Sequence, residues 1–162
     1  MEIIKLYFNS EKYESILFVL IGTAVMAFAG YLLIIEKGSF YRGMLVPLVT
    51  VALVQIVVGS TVWHRSPKDI ERVQKIVKEE PTRIRTEEIP RMIVVLKNFK
   101  IYRYVEIFLI AFGIICMFGF GTHQFMKGLG FGLFIQASIM LSLDFFAERR
   151  AEHYFGFLNE LL

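Results

Sequence analysis

Residues 15–35, SILFVLIGTAVMAFAGYLLII, form an unbroken apolar stretch without a formal charge. Three more charge-free apolar stretches follow at residues 43–63, 107–126 and 128–143. Because a helix rises about 1.5 Å per residue, roughly 20 apolar residues cross the ~30 Å hydrocarbon core of a bilayer. The first three stretches reach this length, and the fourth reaches it with Asp144 at the headgroup level. The pattern therefore predicts a protein whose solvent is mostly lipid.

The composition of the whole chain supports this prediction. Hydrophobic residues make up 56% of the 162 residues, and the charged residues, 20% of the total, lie outside the four stretches. Continuously apolar stretches favour membrane helices over the alternating strands of a β-barrel. The predicted fold class is all-α, a four-transmembrane-helix bundle with helices 3 and 4 extended into a cytoplasmic helical hairpin. We expect one integral membrane domain over 1–162, with spans at about 13–35, 41–63, 104–121 and 127–146 and a cytoplasmic helical segment at 64–104.

The basic residues predict the orientation of the chain. The segment 64–104 carries eleven Lys and Arg residues, whereas the connection at 36–42 has two and the connection at 122–127 has one. Basic residues concentrate in the cytoplasmic loops of membrane proteins. We therefore expect a multi-pass protein of the inner (plasma) membrane of a bacterium, with the N and C termini and the segment 64–104 in the cytoplasm.

Local signals predict helix boundaries on the cytoplasmic side. Asn9-Ser10 would end a short N-terminal interfacial segment, with the serine as the N-cap of the first span. Ser66 would cap a separate helix that starts with Pro67. One long helix is expected from about Glu87 to about Phe118, because Pro90 falls within its first turn and no helix breaker follows until Gly113.

The extensions of the third and fourth helices should pack on each other as antiparallel neighbours. Their apolar residues could join them, with Met92, Leu96 and Phe99 on one helix and Phe146, Tyr154, Phe155 and Leu158 on the other. Small residues permit close helix approach, within one chain or between chains. They recur at Ser15, Gly22 and Ala29 and at Gly128 and Gly132.

Two sets of polar residues are candidates for a functional site. The first set is a candidate polar interior in the second and fourth spans, either hydrogen bonds between helices or the lining of a path across the bundle. It consists of Gln55, Ser60, Gln136, Ser138 and Ser142. The second set is a candidate charged collar at the inner membrane boundary, either ion pairs that set the helix register or a binding site. It consists of Arg103, Glu106, Asp144, Glu148, Arg149 and Arg150, and Arg103–Asp144 and Glu106–Arg150 are the pairs that we expect.

Catalytic and cofactor motifs are not recognisable in the chain. Cys116 is its one cysteine, and the predicted topology puts His123 on the opposite side of the membrane from His64 and His153. We predict no catalytic residue, no metal and no cofactor. The segment 64–104 has six carboxylates beside its eleven cations. Its moderate positive charge fits contact with membrane lipids better than nucleic-acid binding.

Three sequence segments carry a resemblance to a known group of proteins. They are Arg-Ser-Pro-Lys-Asp-Ile-Glu-Arg at 65–72, Glu-Glu-Ile-Pro-Arg-Met at 87–92 and Asp-Phe-Phe-Ala-Glu-Arg-Arg at 144–150. In these segments the chain resembles small uncharacterised bacterial four-helix inner-membrane proteins. The resemblance implies a fold and a location, and it implies no activity.

Three hypotheses of function follow from the sequence. The first is a non-enzymatic protein that acts by protein–protein interaction, possible examples being proteins that give immunity to membrane-directed toxins. The alternative is an oligomeric ion channel or small-solute transporter with Gln55 and Gln136 in its path. The third is a lipid-modifying enzyme that uses Asp144, Glu148 or His64. A protein partner or a homo-oligomer is expected in the first two.

Overall fold

The computed structural model describes residues 2–161, which form four long helices. These are α1 (Glu2–Ile35), α2 (Ser39–Glu79), α3 (Ile89–Gly119) and α4 (Gln124–Glu160), with a π-helical segment, Ile84–Glu88, directly before α3. Residues 2–161 contain no strand. The predicted all-α fold class is confirmed. The expected long third helix is present and begins within a few residues of the predicted position.

The helices pack in the spatial order α1–α2–α4–α3. α1 packs along α2, α2 along α4, and α4 along α3, whereas α1 has only a small contact with α4. α1 and α3 therefore lie at the two ends of this order and do not pack along their length, although Arg91 of α3 lies over the Phe8 ring of α1. The start of α1, the end of α2, the start of α3 and the end of α4 meet at one end of the molecule, which we call the terminal end.

Glycines allow the helix backbones to approach closely. A Cβ on Gly59 of α2 would lie 2.6 Å from the carbonyl oxygen of Ser15 in α1, and one on Gly113 of α3 would lie 2.8 Å from that of Gly130 in α4. A Cβ on Gly128 would overlap the backbone carbonyl group of Phe40 in α2. These close contacts are all within one chain, so the small residues of the sequence serve packing inside the molecule.

Most of the apolar surface of the helices faces outward. In the most apolar 18-residue window of each helix, only 17% to 33% of the residues are buried. Large apolar side chains such as Leu33, Ile34, Phe108 and Phe118 are more than half exposed. Monomeric soluble proteins rarely expose so large an apolar surface. By length and composition, all four helices could cross a membrane.

Two predicted helix boundaries are wrong. α1 continues through Asn9-Ser10, because Ile4 and Phe8 before this dipeptide and Ser15 and Phe18 after it are buried along one helix. α2 likewise continues through Ser66 and Pro67.

The Ser66 side chain does not cap a new helix. It is fully buried, and its hydroxyl donates a hydrogen bond to the carbonyl oxygen of Val62 one turn earlier, at 2.8 Å. Pro67 lacks an N–H and leaves one carbonyl of the helix without its usual donor. Burial of Val73 and Ile76 further along α2 stabilises the continuous helix in spite of this loss.

An apolar core fills the terminal end and receives residues from all four helices. Its buried members are Ile4, Tyr7, Phe8, Val73, Ile76, Ile84, Met92, Ala151, Tyr154 and Leu158. The predicted contact of α3 with α4 is present here, with Leu96, Phe99 and Phe155 at the edge of the core. The prediction was wrong for Phe146, which is 60% exposed. The start of α1 and the part of α2 after Pro67 pack beside these extensions, with Ile4, Phe8, Val73 and Ile76 buried in the same core.

Candidate functional site

The two glutamines of the candidate polar interior lie at the contact between α2 and α4. Both side chains are fully buried. Nε2 of Gln55 donates to the sulfur of Met140 at 3.2 Å, and Nε2 of Gln136 donates to the carbonyl oxygen of Leu48 at 3.3 Å. The Oε1 atom of each glutamine has no donor within residues 2–161. The glutamines thus join two neighbouring helices.

The serines of the same set make contacts on their own helix. The Ser138 hydroxyl donates to the carbonyl oxygen of Phe134 at 2.6 Å, and the Ser142 hydroxyl donates to that of Ser138 at 2.8 Å. Ser60 is half-buried on α2. A serine bonded to its own helix has no need of a partner on another helix. None of the five polar residues lines the cavity described below.

The collar residues do meet at one level, but in other pairs than those expected. Arg103 Nη2 is 2.9 Å from Glu148 Oε1, and Arg150 contacts the carboxylate of Glu14 in α1. The Arg149 guanidinium lies 4.6 Å from the centroid of the Phe145 ring. The expected pairs Arg103–Asp144 and Glu106–Arg150 are therefore wrong. The register of α3 on α4 puts Glu148 opposite Arg103, and the fold brings α1 alongside Arg150.

A cavity of about 570 Å³ lies between the four helices, beside this ring of charges. Because α1 and α3 do not pack along their length, the cavity is open between them. Its wall is largely apolar and includes Val51, Val54, Val58, Val62, Leu109 and Leu133. Nearer to the terminal end, the cavity wall is charged. The charged side chains in the wall are Glu11, Glu14, Arg65, Glu106, Asp144 and Arg150.

Two of the four cavity carboxylates have basic partners. Arg65 Nη2 lies 3.0 Å from Glu11 Oε1, and Arg150 is paired with Glu14. Burial is the main cause that raises the pKa of Glu11, and the positive charge of Arg65 opposes it.

Glu106 and Asp144, which we call the acid pair, both line this cavity and are close enough for their carboxyl groups to interact. Neither residue forms a salt bridge within residues 2–161. Glu106 is only 5% exposed, and its Oε2 atom has no hydrogen-bond donor among residues 2–161. Two carboxyl groups at this distance can share one proton, and together they favour a positive charge beside them.

A second cluster lies at the terminal end around Glu88, which is fully buried. Its carboxylate accepts hydrogen bonds from Arg72 Nη2 at 2.9 Å, from Arg91 Nε and Nη2 at 3.0 and 2.6 Å, and from the Tyr154 hydroxyl at 3.1 Å. The ring of Tyr7 stacks on Tyr154 with 4.2 Å between centroids. We call these five residues the Glu88 network. Its carboxylate joins α2, α3 and α4, and the stacked ring of Tyr7 adds α1.

The electrostatics of the Glu88 network favour the charged form of its acid. Burial acts to raise the pKa of Glu88, but hydrogen bonds from Arg91, the charges of Arg91 and Arg72 and the bond from Tyr154 together lower it. Burial raises the pKa of Tyr154, and the adjacent Glu88 charge raises it further. The network is a charge-compensated structural centre.

The Glu88 network was not predicted, because Glu88 was expected only as a residue at the start of the third helix. The π-helical segment takes the chain through Ile84–Glu88, with Ile84 and Glu88 buried and the residues between them exposed. The spacing of Glu88 and Arg91, three residues apart, is typical of a salt bridge along a helix and was the available signal.

Among the described residues, no group of three or more His, Cys, Asp or Glu side chains is close enough together to bind a metal ion. Comparison of the chain with protein-family models, with curated proteins and with solved structures returned no match.

Proposed function

We propose that this chain is a non-enzymatic membrane protein that crosses the bacterial inner membrane four times and acts by contact with another protein on its cytoplasmic side. The apolar, outward-facing middle of each helix supports the membrane location. The eleven basic residues of segment 64–104, at the terminal end, support a cytoplasmic position for that end and for both termini. In this arrangement the paired extensions of α3 and α4 form the cytoplasmic hairpin.

The observation that carries the proposed interaction is an exposed apolar stripe on the α3 extension. Ile93, Val94 and Ile101 are 52%, 56% and 47% exposed and lie on one face of α3. The exposed side chain of Lys97 lies between Ile93 and Ile101 on this face, and that of Lys100 lies at its edge. Exposed apolar side chains together with charged ones outside the membrane are typical of a protein-binding surface.

The Glu88 network supports a role of the terminal end as a rigid platform. It joins the helices at this end with four charge-assisted or hydroxyl hydrogen bonds and leaves Glu88 without access to solvent. A platform that holds its shape loses little entropy when it binds. Binding of a membrane-directed toxin by an immunity protein is one interaction of this class.

Site-specific photo-crosslinking in intact cells tests this function. A photoreactive phenylalanine in place of Ile93 or Ile101 should yield a protein adduct of one defined mass. The same photoreactive residue in place of Glu152, which is exposed at the same end on α4, is the matched control and should yield no protein adduct. Adducts with lipid alone at positions 93 and 101 would show that the stripe lies on the membrane. Reporter tags on the two ends should give the same compartment, and opposite compartments would contradict the topology.

The alternative function, an oligomeric channel or small-solute transporter, is favoured by a different observation. The 570 Å³ cavity has the size of a small-molecule site and contains the acid pair. Four helices in this order leave the cavity open on one side, so a closed path would need a second copy. Ion or solute flux into vesicles containing the purified protein, absent from empty vesicles, would support this function over the first.

A further inference from the structure

The acid pair is the one part of the cavity whose charge is not compensated by a neighbouring arginine in residues 2–161. Glu11 and Glu14 are matched by Arg65 and Arg150. Glu106 has a buried oxygen without a donor, and the group that interacts with it is a second carboxyl group, on Asp144. Carboxyl groups bordering hydrocarbon are costly unless a cation or a proton accompanies them.

The surroundings of the acid pair are suited to an organic cation. Phe99 and Tyr102 line the cavity one to two turns from Glu106 along α3, with ring centroids 6.4 Å apart. Aromatic faces and carboxylates together are a common environment for ammonium groups. The valine wall of α2 continues from this charged part into the apolar part of the cavity and offers contact to a hydrocarbon body.

The order of charges along the helices distinguishes a simple cation from a phospholipid. Asp144 precedes Arg150 by six residues of α4, so it lies about 9 Å further from the terminal end. In a phospholipid of the inner leaflet the phosphate is nearer to the acyl chains than the ammonium. The cavity has the opposite order, with the acid pair next to the apolar wall and Arg150 nearer to the terminal end.

We propose that the cavity binds a small amphiphilic monocation, whose ammonium group contacts Glu106 and Asp144 and whose hydrocarbon body lies along the valines of α2. The ligand enters from the side, through the opening between α1 and α3. This inference rests on the proposed membrane location but not on the proposed protein contact at the α3 stripe. Substitutions in the cavity should therefore affect cation binding and leave the protein contact unchanged, and substitutions in the α3 stripe should do the reverse.

Equilibrium dialysis of the purified full chain in neutral maltoside detergent, with labelled decyltrimethylammonium as the probe, tests the proposal. We expect saturable binding of one probe per chain. Decyl sulfate and decanol, with the same chain and a negative or neutral head, should not compete. Glu106→Gln and Asp144→Asn keep the shape of each side chain and should weaken binding about tenfold or more. Glu152→Gln, exposed on α4 away from the cavity, is the matched control and should bind like the unmodified chain.

A second variant tests the apolar part without a change of charge. Val58→Phe places a larger side chain at a half-exposed position of the cavity wall and should also weaken binding. Thermal unfolding of each variant shows that it is folded. Equal binding of the cationic and neutral probes, or full binding by Glu106→Gln, would overturn the proposal. Displacement of the probe by phosphatidylethanolamine vesicles, but not by phosphatidylcholine vesicles, would identify a lipid as occupant and would also overturn it.

Discussion

Replacement of Gly132 by alanine tests whether the glycine contacts set the distance between α2 and α4. The new Cβ would lie 2.6 Å from Cγ of Pro47 and 2.8 Å from the carbonyl oxygen of Met44. Non-bonded carbon atoms prefer about 3.5–4.0 Å. The proline ring cannot rotate away as a flexible side chain would, so the helices must separate by roughly 1 Å.

A matched control removes the intrinsic effect of the substitution. Gly30 of α1 is also a helical glycine in an apolar stretch, and a Cβ there would meet nothing within 4 Å. Alanine stabilises a helix interior by about 1 kcal/mol relative to glycine, and this gain is common to both variants. Overpacking typically costs about 1–3 kcal/mol. The free energy of unfolding of Gly132→Ala should therefore fall about 1–3 kcal/mol below that of Gly30→Ala.

Unfolding in mixed micelles with increasing denaturing detergent, followed by circular dichroism, measures this difference. The comparison of the two alanine variants matters more than the comparison of either with the unmodified chain. If Gly132→Ala unfolds at the same detergent fraction as Gly30→Ala or later, the close packing of α2 on α4 is not as described.

Three further predictions concern the terminal end. Glu88→Gln removes the negative charge shared by Arg72 and Arg91 and replaces one acceptor oxygen by an NH2 donor, so it should lower the free energy of unfolding by about 3–5 kcal/mol, measured in the same assay; an unchanged value would show that the network contributes nothing to stability. Because the pKa of Glu88 is lowered in the folded protein, its stabilisation is present above the usual glutamate range and lost as the pH falls through the folded pKa. Acidification should therefore destabilise the unmodified chain more than Glu88→Gln, and parallel pH profiles would contradict this. Pro67→Ala restores the N–H that the carbonyl of Trp63 lacks and should stabilise α2 by about 1–2 kcal/mol, whereas a loss of stability would favour a helix start at Ser66.

The prediction of the inner charges shows where sequence reasoning stops. Spacing alone identified Arg103, Glu148 and Arg150 as residues at one level, because helical rise relates sequence distance to depth. The partners depend on the rotation of each helix and on which helix is its neighbour. Glu14 could not be predicted as the partner of Arg150, since the contact depends on α1 lying beside α4.

Ser66 and Glu88 illustrate the same limit for local signals. A serine before a proline and a glutamate in a polar segment have strong preferences for helix starts. Both side chains are instead fully buried, one bonded to its own helix and one to two arginines and a tyrosine. Packing energies shared among several helices exceed capping preferences of about 1 kcal/mol.

The sequence by itself determined the helical class, the number of long apolar helices and the positions of the turns between α1 and α2 and between α3 and α4, because these depend on hydrophobicity and on residues close together in the chain. Only the tertiary structure decided the order α1–α2–α4–α3, the open cavity with its acid pair and the enclosure of Glu88. These features arise from contacts between residues far apart in the chain. Glycines on the helix surfaces allow such contacts, but the spacing of glycines in the sequence does not specify which helix is the neighbour.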